Sequence, residues 1–312
     1  MKASDFLTEG VKKCFIPYER MKNKKNMKIF ITGGSGFVGT TLTQKLTELG
    51  HQATILTRSL KLRQTLPPGA SFLEGDPAKK GKWQDAVAGH DAVVNLAGAS
   101  IFARWTDENK KILRESRLAT TRNVVDALSS RSDMKTALIN ASAVGYYGFC
   151  GDEAVDENAA PGDDFLARLA FDWEQAAFRA KEYGARVVIC RFGIVMGKNG
   201  GALKQMLTPF KFGMGAPLGS GKQWFAWIHE YDLVRAIVFA LENGRMDGPF
   251  NCAAPNPIRN RELTKAMAEK LGKMAFPLGV PACVLKLMLG EFGSVLLEGQ
   301  RVYPKRLLDM GF

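Results

Sequence analysis

Histidine is scarce in this chain of 312 residues: His51, His90 and His229 stand far apart in sequence, which excludes the closely spaced ligand sets of a zinc site. The five cysteines (Cys14, Cys150, Cys190, Cys252, Cys283) form no CxxC pair and are odd in number. That usage reads as reduced intracellular thiols rather than a disulfide framework, and the expected location is the cytoplasm. Long uncharged stretches are also missing. The two longest, Ile29–Gln44 and Thr136–Gly151, have 16 residues each and contain glycine and polar side chains. A bilayer span needs about 20 mostly apolar residues, so no membrane partner is expected. Repeats and low-complexity tracts are absent, and 46% apolar with 24% charged residues excludes a disordered chain.

Acidic side chains are outnumbered, 31 against 43 basic ones, for a net charge of +12. Of that charge, +5 sits in residues 1–28, and the rest is scattered with no basic stripe interleaved with aromatics. The distribution argues against a nucleic-acid partner. It suits a protein that binds an anionic cofactor and a small-molecule substrate, an anionic one included. Monomer and dimer both stay open.

Residues 1–26 show no apolar periodicity and no apolar segment ending in a small-residue cleavage site, so they read as a non-essential leader. From Met27 the text becomes regular. Apolar strands at Met27–Thr32, Ala53–Thr57, Ser71–Glu74, Asp91–Ala97, Ala137–Ala141 and Arg186–Arg191 alternate with helical patterns, among them Asp107–Ser129 and Asp164–Glu182. This alternation predicts an α/β fold, a Rossmann doubly wound parallel sheet. After Phe192 the rhythm turns to glycine, proline and helices, with too few strands for a second sheet. The expected division is a dinucleotide-binding domain over 27–195 and a smaller, mainly helical C-terminal substrate lobe over 196–312, with helix 231–243 packing back on the sheet.

Thr32-Gly33-Gly34-Ser35-Gly36-Phe37-Val38-Gly39 spells G-x-x-G-x-x-G between a predicted strand and a predicted helix. The first glycine permits a tight turn, the second lets backbone approach a pyrophosphate, and the third lets helix pack on strand. Gly33, Ser35, Gly36, Phe37, Val38 and Gly39 are therefore expected at a dinucleotide, with the helix N-terminus facing its phosphates. An NAD site usually presents an acid about 20 residues further on, for the ribose 2′-hydroxyl. Here the second strand ends Thr57-Arg58-Ser59, and Lys61 and Arg63 follow. Arg58 suits a 2′-phosphate, and the expected cofactor is NADP(H).

These segments resemble the extended short-chain dehydrogenase/reductase superfamily, and most closely its atypical epimerase-family (NAD-dependent epimerase/dehydratase-like) branch. The likeness is carried by Thr32–Gly39, Asn95-Leu96-Ala97-Gly98, Arg104-Trp105-Thr106 with Ser116-Arg117, and Ala141–Gly148. Asp172-Trp173-Glu174, Arg191–Gly197, Gly219–Gln223 with Trp227-Ile228-His229, and Asn251–Pro257 extend it, and Leu297–Pro304 resembles that branch's C-terminal module. The resemblance implies that Asn95, Leu96, Ala97 and Gly98 lie against the cofactor, that Arg117 contacts it, and that Val195 lines the nicotinamide. It further implies an NADP-dependent oxidoreductase or nucleotide-sugar-epimerase-like enzyme.

Ser142 and Tyr146 match the superfamily's S-x-x-x-Y element, with Ser142 in the substrate-orienting position. The Y-x-x-x-K pair that should follow is missing. In the register set by Glu174, Leu166 stands for the tyrosine and Ala170 for the lysine. Tyr146 and Tyr147 are left either to donate the proton or to pack as aromatic walls. Asp152, Glu153 and Asp156 either shape the pocket or cap the helix beginning near Asp164. Lys222, Gln223, Trp227 and His229 resemble the family's substrate segment, with a structural role for His229 as the alternative. The expected function is hydride transfer on an unknown carbonyl or alcohol; the rival is a non-catalytic NADP(H)-binding redox sensor or partner-binding protein. Because residues 1–26 have no apolar face to bury, deleting them is expected to leave the melting temperature and NADPH affinity unchanged. A large drop in either would move the boundary.

Overall fold

The computed structural model describes residues 26–60, 65–130, 136–198 and 200–312. Residues 1–25 of the expected leader, with Lys61 and Arg63, lie outside the described residues. Runs such as Ile29-Phe30-Ile31 and Val187-Val188-Ile189-Cys190 have no polar face, so they form strands covered on both sides. Seven strands make one parallel sheet: β1 (Lys28–Thr32), β2 (Gln52–Thr57), β3 (Ala70–Glu74), β4 (Ala92–Asn95), β5 (Ala137–Ala143), β6 (Arg186–Phe192) and β7 (Gly248–Cys252). Their order is β3-β2-β1-β4-β5-β6-β7, reversing between β1 and β4. Ligands in such sheets bind at that switch point, outside the carboxyl ends of the strands.

Helices α1 (Phe37–Glu48), α2 (Trp83–Val87), α3 (Asp107–Ser129) and α4 (Phe165–Phe178) follow their strands. Alternate residues of each strand serve opposite layers. Ile29, Ile31 and Val94 pack with Leu42 and Leu46 of α1, whereas Phe30 and Val93 pack with Val124 and Leu128 of α3. The helix read over Asp164–Glu182 is α-helical to Phe178 and continues as a tight 3-10 turn over Arg179–Tyr183. Its cap is Asp164, whose carboxylate accepts the Leu166 and Ala167 N–H groups. Asp152, Glu153 and Asp156 are not the cap.

The second half contributes α5 (Gly201–Lys211), α6 (Glu230–Glu242), α7 (Asn260–Leu271), α8 (Ala282–Leu289), α9 (Glu291–Leu297) and α10 (Lys305–Asp309). Helix α6 packs on the sheet through Leu233, Val234 and Ile237. β7 corrects the reading that ended the sheet at β6. Gly248-Pro249-Phe250-Asn251-Cys252 carries turn residues, but β7 is an edge strand, where proline is tolerated. Its free side is covered by Arg306 of α10, which donates to the Pro249 and Asp247 carbonyls. Among the described residues, no helix is long and apolar enough to cross a membrane.

One buried polar knot sets the switch point. Asn95, with no exposed surface, accepts from the Thr32 hydroxyl at 2.6 Å and donates to Asn140 at 2.7 Å and Thr121 at 2.9 Å. It thereby ties β1, β4, β5 and α3 together. Asn95→Ala leaves the Thr32 hydroxyl and Asn140 carbonyl buried without that partner, and a urea melt is expected to show a loss of about 2–3 kcal/mol.

Candidate functional site

The cradle at the switch point follows from missing side chains. Gly33 has a φ of 70°, and a Cβ there would lie 2.8 Å from the Ala97 nitrogen, so the turns after β1 and β4 touch. A Cβ on Gly39 would lie 2.3 Å from the Gly33 oxygen. Gly36 is exposed, and a Cβ on it would meet only its own turn. Helix α1 starts there with neither a side-chain cap nor an acid in its first turn. Its leading N–H groups and positive dipole end therefore suit an anion. Ser35 is half-buried at the same turn, and Val38 packs on the core. The Phe37 ring packs against Gly197 and Gly200, where a Cβ would strike it at 2.6 and 2.7 Å.

At the end of β2, Thr57 is buried and its hydroxyl closes a turn with Ser59. Arg58 is exposed beside it. After β4, the Asn95 side chain points into the knot and holds the turn from behind. Leu96 packs on the core, and Ala97 N–H points to the Thr32 hydroxyl. A Cβ on Gly98 would lie 3.2 Å from the Arg117 guanidinium carbon. Arg117 donates to the Leu113 and Ala99 carbonyls and lies over the Trp173 ring. Burial pulls its pKa down to about 10. Among the described residues it forms no ion pair, so a cation is held beneath the Gly98 turn without a carboxylate. Val195 lies in the short strand Ile194–Gly197, paired with Trp227–His229.

At the end of β5 the side chains form a continuous chain of bonds. Ser142 donates to Glu174 at 2.7 Å. Glu174 also receives Nε and Nη2 of Arg191, at 2.8 and 2.9 Å. The third arm of Arg191 donates to the Tyr147 hydroxyl, which donates in turn to Asn251 at 2.6 Å. Burial opposes the charge of Arg191, but the bonds to Glu174 and Tyr147 outweigh it and hold its pKa above the ordinary value. Burial pushes the Tyr147 phenol up to about 12, against the pull of Arg191 and Asn251. Tyr147 is thus a buried member of the network, its hydroxyl hydrogen committed to Asn251. Tyr146 is half-buried, and its ring lies flat on the Arg191 guanidinium at 3.5 Å. No bond from its hydroxyl is formed among the described residues.

Leu166 packs against Gly145, and Ala170 is buried one turn on. Glu174 is the next residue along that face of α4. The ion pair Glu174–Arg191 went unassigned in the sequence, as did Asn251 and Glu157, whose carboxylate accepts from the Asn251 and Arg306 N–H groups. The signal was there: an arginine closing the apolar run of β6 and a glutamate on the sheet-facing side of α4.

The structure separates the substrate-segment residues. Lys222 is exposed. Gln223 clips two loops by donating to the Leu218 and Leu296 carbonyls. The buried indole N–H of Trp227 has no partner among the described residues. His229 caps α6 by accepting the Tyr231 N–H, and burial lowers its pKa against the pull of Asp232. No group of histidine, cysteine, aspartate and glutamate that could hold a metal ion occurs among the described residues.

Comparison with known proteins gives this geometry a context. The NAD dependent epimerase/dehydratase family matches residues 29–253, and a domain of unknown function, DUF1731, matches residues 280–312. The chain is similar to an epimerase family protein SDR39U1 homolog, chloroplastic, from Arabidopsis thaliana, 41% identical over 93% of this chain and 84% of that one. It is also similar to the epimerase family protein YfhF of Bacillus subtilis, 37% identical over 92% and 93%. A crystal structure of the human epimerase family protein SDR39U1 (isoform 2) with NADPH superposes with a TM-score of 0.79 at 35% identity, covering 92% of this chain and 94% of that one. With fold and sequence in agreement along nearly the whole described length, the chain belongs to the NAD dependent epimerase/dehydratase family.

Proposed function

We propose that this protein binds NADP(H) across the β1–β4 switch point and acts as an oxidoreductase or epimerase-like enzyme on a small carbonyl or alcohol. The observation that carries it is the cradle: would-be Cβ atoms at Gly33 and Gly39 strike backbone, while Gly36 faces outward before an uncapped helix. The human relative at 35% identity, crystallised with NADPH, supports the same choice of cofactor. Gly33, Ser35, Gly36 and the first N–H groups of α1 would hold the pyrophosphate, and Arg58 beside Thr57 would hold the 2′-phosphate. Leu96, Ala97 and Gly98 would form the wall opposite, over Arg117, and Val195 would line the nicotinamide side. Bound there, the dinucleotide supplies hydride exchange at its nicotinamide ring.

The chain's own residues orient and exchange the proton. Ser142 spends its hydrogen on Glu174, which leaves its lone pairs to accept from a substrate hydroxyl. Tyr146 is the phenol left to exchange the proton, its ring held flat by Arg191. Lys222, Trp227 and the turn at Gly200-Gly201-Ala202 are our candidates for the substrate side, with Gln223 and His229 fixing the loops around them. The apolar Leu166 and buried Ala170 favour a second reading, a binder without turnover. NADPH oxidation over panels of carbonyls and nucleotide sugars separates the two, since a sensor binds tightly and turns nothing over. For the compartment we propose the cytoplasm, on four free thiols among the described residues.

Calorimetric titration is expected to show NADPH binding more tightly than NADH. Arg58→Ala should remove about 1.5–3 kcal/mol of that preference, or one to two decades in affinity. Equal affinity of the parent protein for both cofactors would sink the assignment.

The two tyrosines should separate by experiment. Tyr146→Phe is expected to keep the melting temperature and NADPH affinity while turnover falls about 100-fold. Tyr147→Phe leaves Asn251 and Arg191 each one bond short, and chemical denaturation should show a loss of about 1–3 kcal/mol. Full turnover in Tyr146→Phe would remove Tyr146 from the chemistry and leave the cofactor site standing.

A further inference from the structure

The C-terminal lobe carries an apolar ridge that the site does not use. The turn after α5 exposes Phe212 and Met214, and the segment after α7 exposes Met274, Phe276 and Leu278. These segments run side by side: Phe276 N–H donates to Gly215, Val280 N–H to Pro217, and Gly219 N–H back to Val280. Helix α8 follows at once. Its sequence, Ala-Cys-Val-Leu-Lys-Leu-Met-Leu, is apolar but for one lysine, yet only Leu285 is buried. Val284, Leu287 and Met288, spaced i, i+3 and i+4, form a stripe that faces water. So many large apolar side chains exposed within one lobe mark an interaction site.

Shape and charge choose the occupant. Met274 is 88% exposed, Leu278 83%, Leu287 77% and Phe212 73%. Side chains with so little protein around them stand on a crest, whereas a docked peptide or helix needs a groove. Residues 201–221 and 270–290 hold five lysines (Lys204, Lys211, Lys270, Lys273, Lys286) and no acid, in a chain that has 31 acids elsewhere. The acids at the margins are paired, Glu269 with Lys265 and Glu291 with Lys110. Two copies meeting through this ridge would set lysine against lysine. An anionic bilayer surface suits both features, taking the crest into its acyl boundary and the ammonium groups at its phosphates.

We propose that this ridge seats the protein on an anionic membrane surface without crossing the bilayer. The expectation of no membrane partner rested on run length, which measures spanning and is silent about interfacial binding.

The test is co-sedimentation of the full chain with vesicles of phosphatidylcholine, alone or mixed with phosphatidylglycerol, at low and high salt. Binding is expected to be at least about tenfold stronger to the mixed vesicles and to weaken with salt. The double variant Leu278→Ser/Leu287→Ser keeps every charge and alters only exposed positions. It should keep the parent melting temperature and lose about tenfold or more in binding. Lys273→Glu/Lys286→Glu should lose at least as much. Binding of the serine variant equal to the parent would mean adsorption by net charge alone and would overturn the proposal. So would a failure to bind the mixed vesicles. A concentration-dependent dimer that the serine variant dissolves would assign the ridge to a second copy instead.

Discussion

The buried ion pair between Glu174 and Arg191 is the interaction on which the site depends. The two side chains are 2% and 3% exposed, and taking two charges so far from water is costly unless every donor and acceptor is met. Here they are met. Both carboxylate oxygens receive Arg191, one also receives Ser142, and the remaining guanidinium arm reaches Tyr147. Removing either charge would strand the other, at a cost of about 3–5 kcal/mol in comparable pairs. The pair fixes α4 to β6, β6 to the turn after β5, and that turn to β7.

The same pair explains how the site keeps its shape without the family's tyrosine and lysine. Leu166 and Ala170 hold those positions on α4, and both are apolar. The buried cation of this region comes instead from β6, across from the helix, and it supports Tyr146 from below. A cation on a central strand is held more rigidly than one on a long side chain from a helix surface. The arrangement is therefore stiff, and its one phenol without a partner among the described residues is Tyr146.

Much of this was legible in the sequence where a single local rule governs. Gly33 and Gly39 are forced by close backbone approach, Gly36 leaves the helix start open, and the spacing alone announces all three. The strands Ile29–Ile31 and Val187–Cys190 announce themselves by having no polar face. What stayed hidden depends on partners distant in sequence. The bonds of Asn95 to Thr32, Thr121 and Asn140 join residues 26 to 63 positions apart, which no local pattern announces. Tyr147 and Tyr146 are neighbours of one type, and only Arg191 and Asn251 give them different surroundings. β7 was missed because glycine, proline and asparagine signal a turn, and only a sheet edge makes Pro249 acceptable there.

Glu157 carries a consequence for descent. Its buried carboxylate accepts the Asn251 N–H from β7 and the Arg306 N–H from α10, while Arg306 covers the free edge of β7. The last thirty-odd residues, matched by a separate family model at 280–312, are therefore stitched into the sheet that the first model describes. A gene that shed this module would bare a sheet edge and leave a buried carboxylate half satisfied. A gene that acquired it without an acid at position 157 would gain little. The two matched segments are therefore one folded unit, each completing the hydrogen bonding of the other.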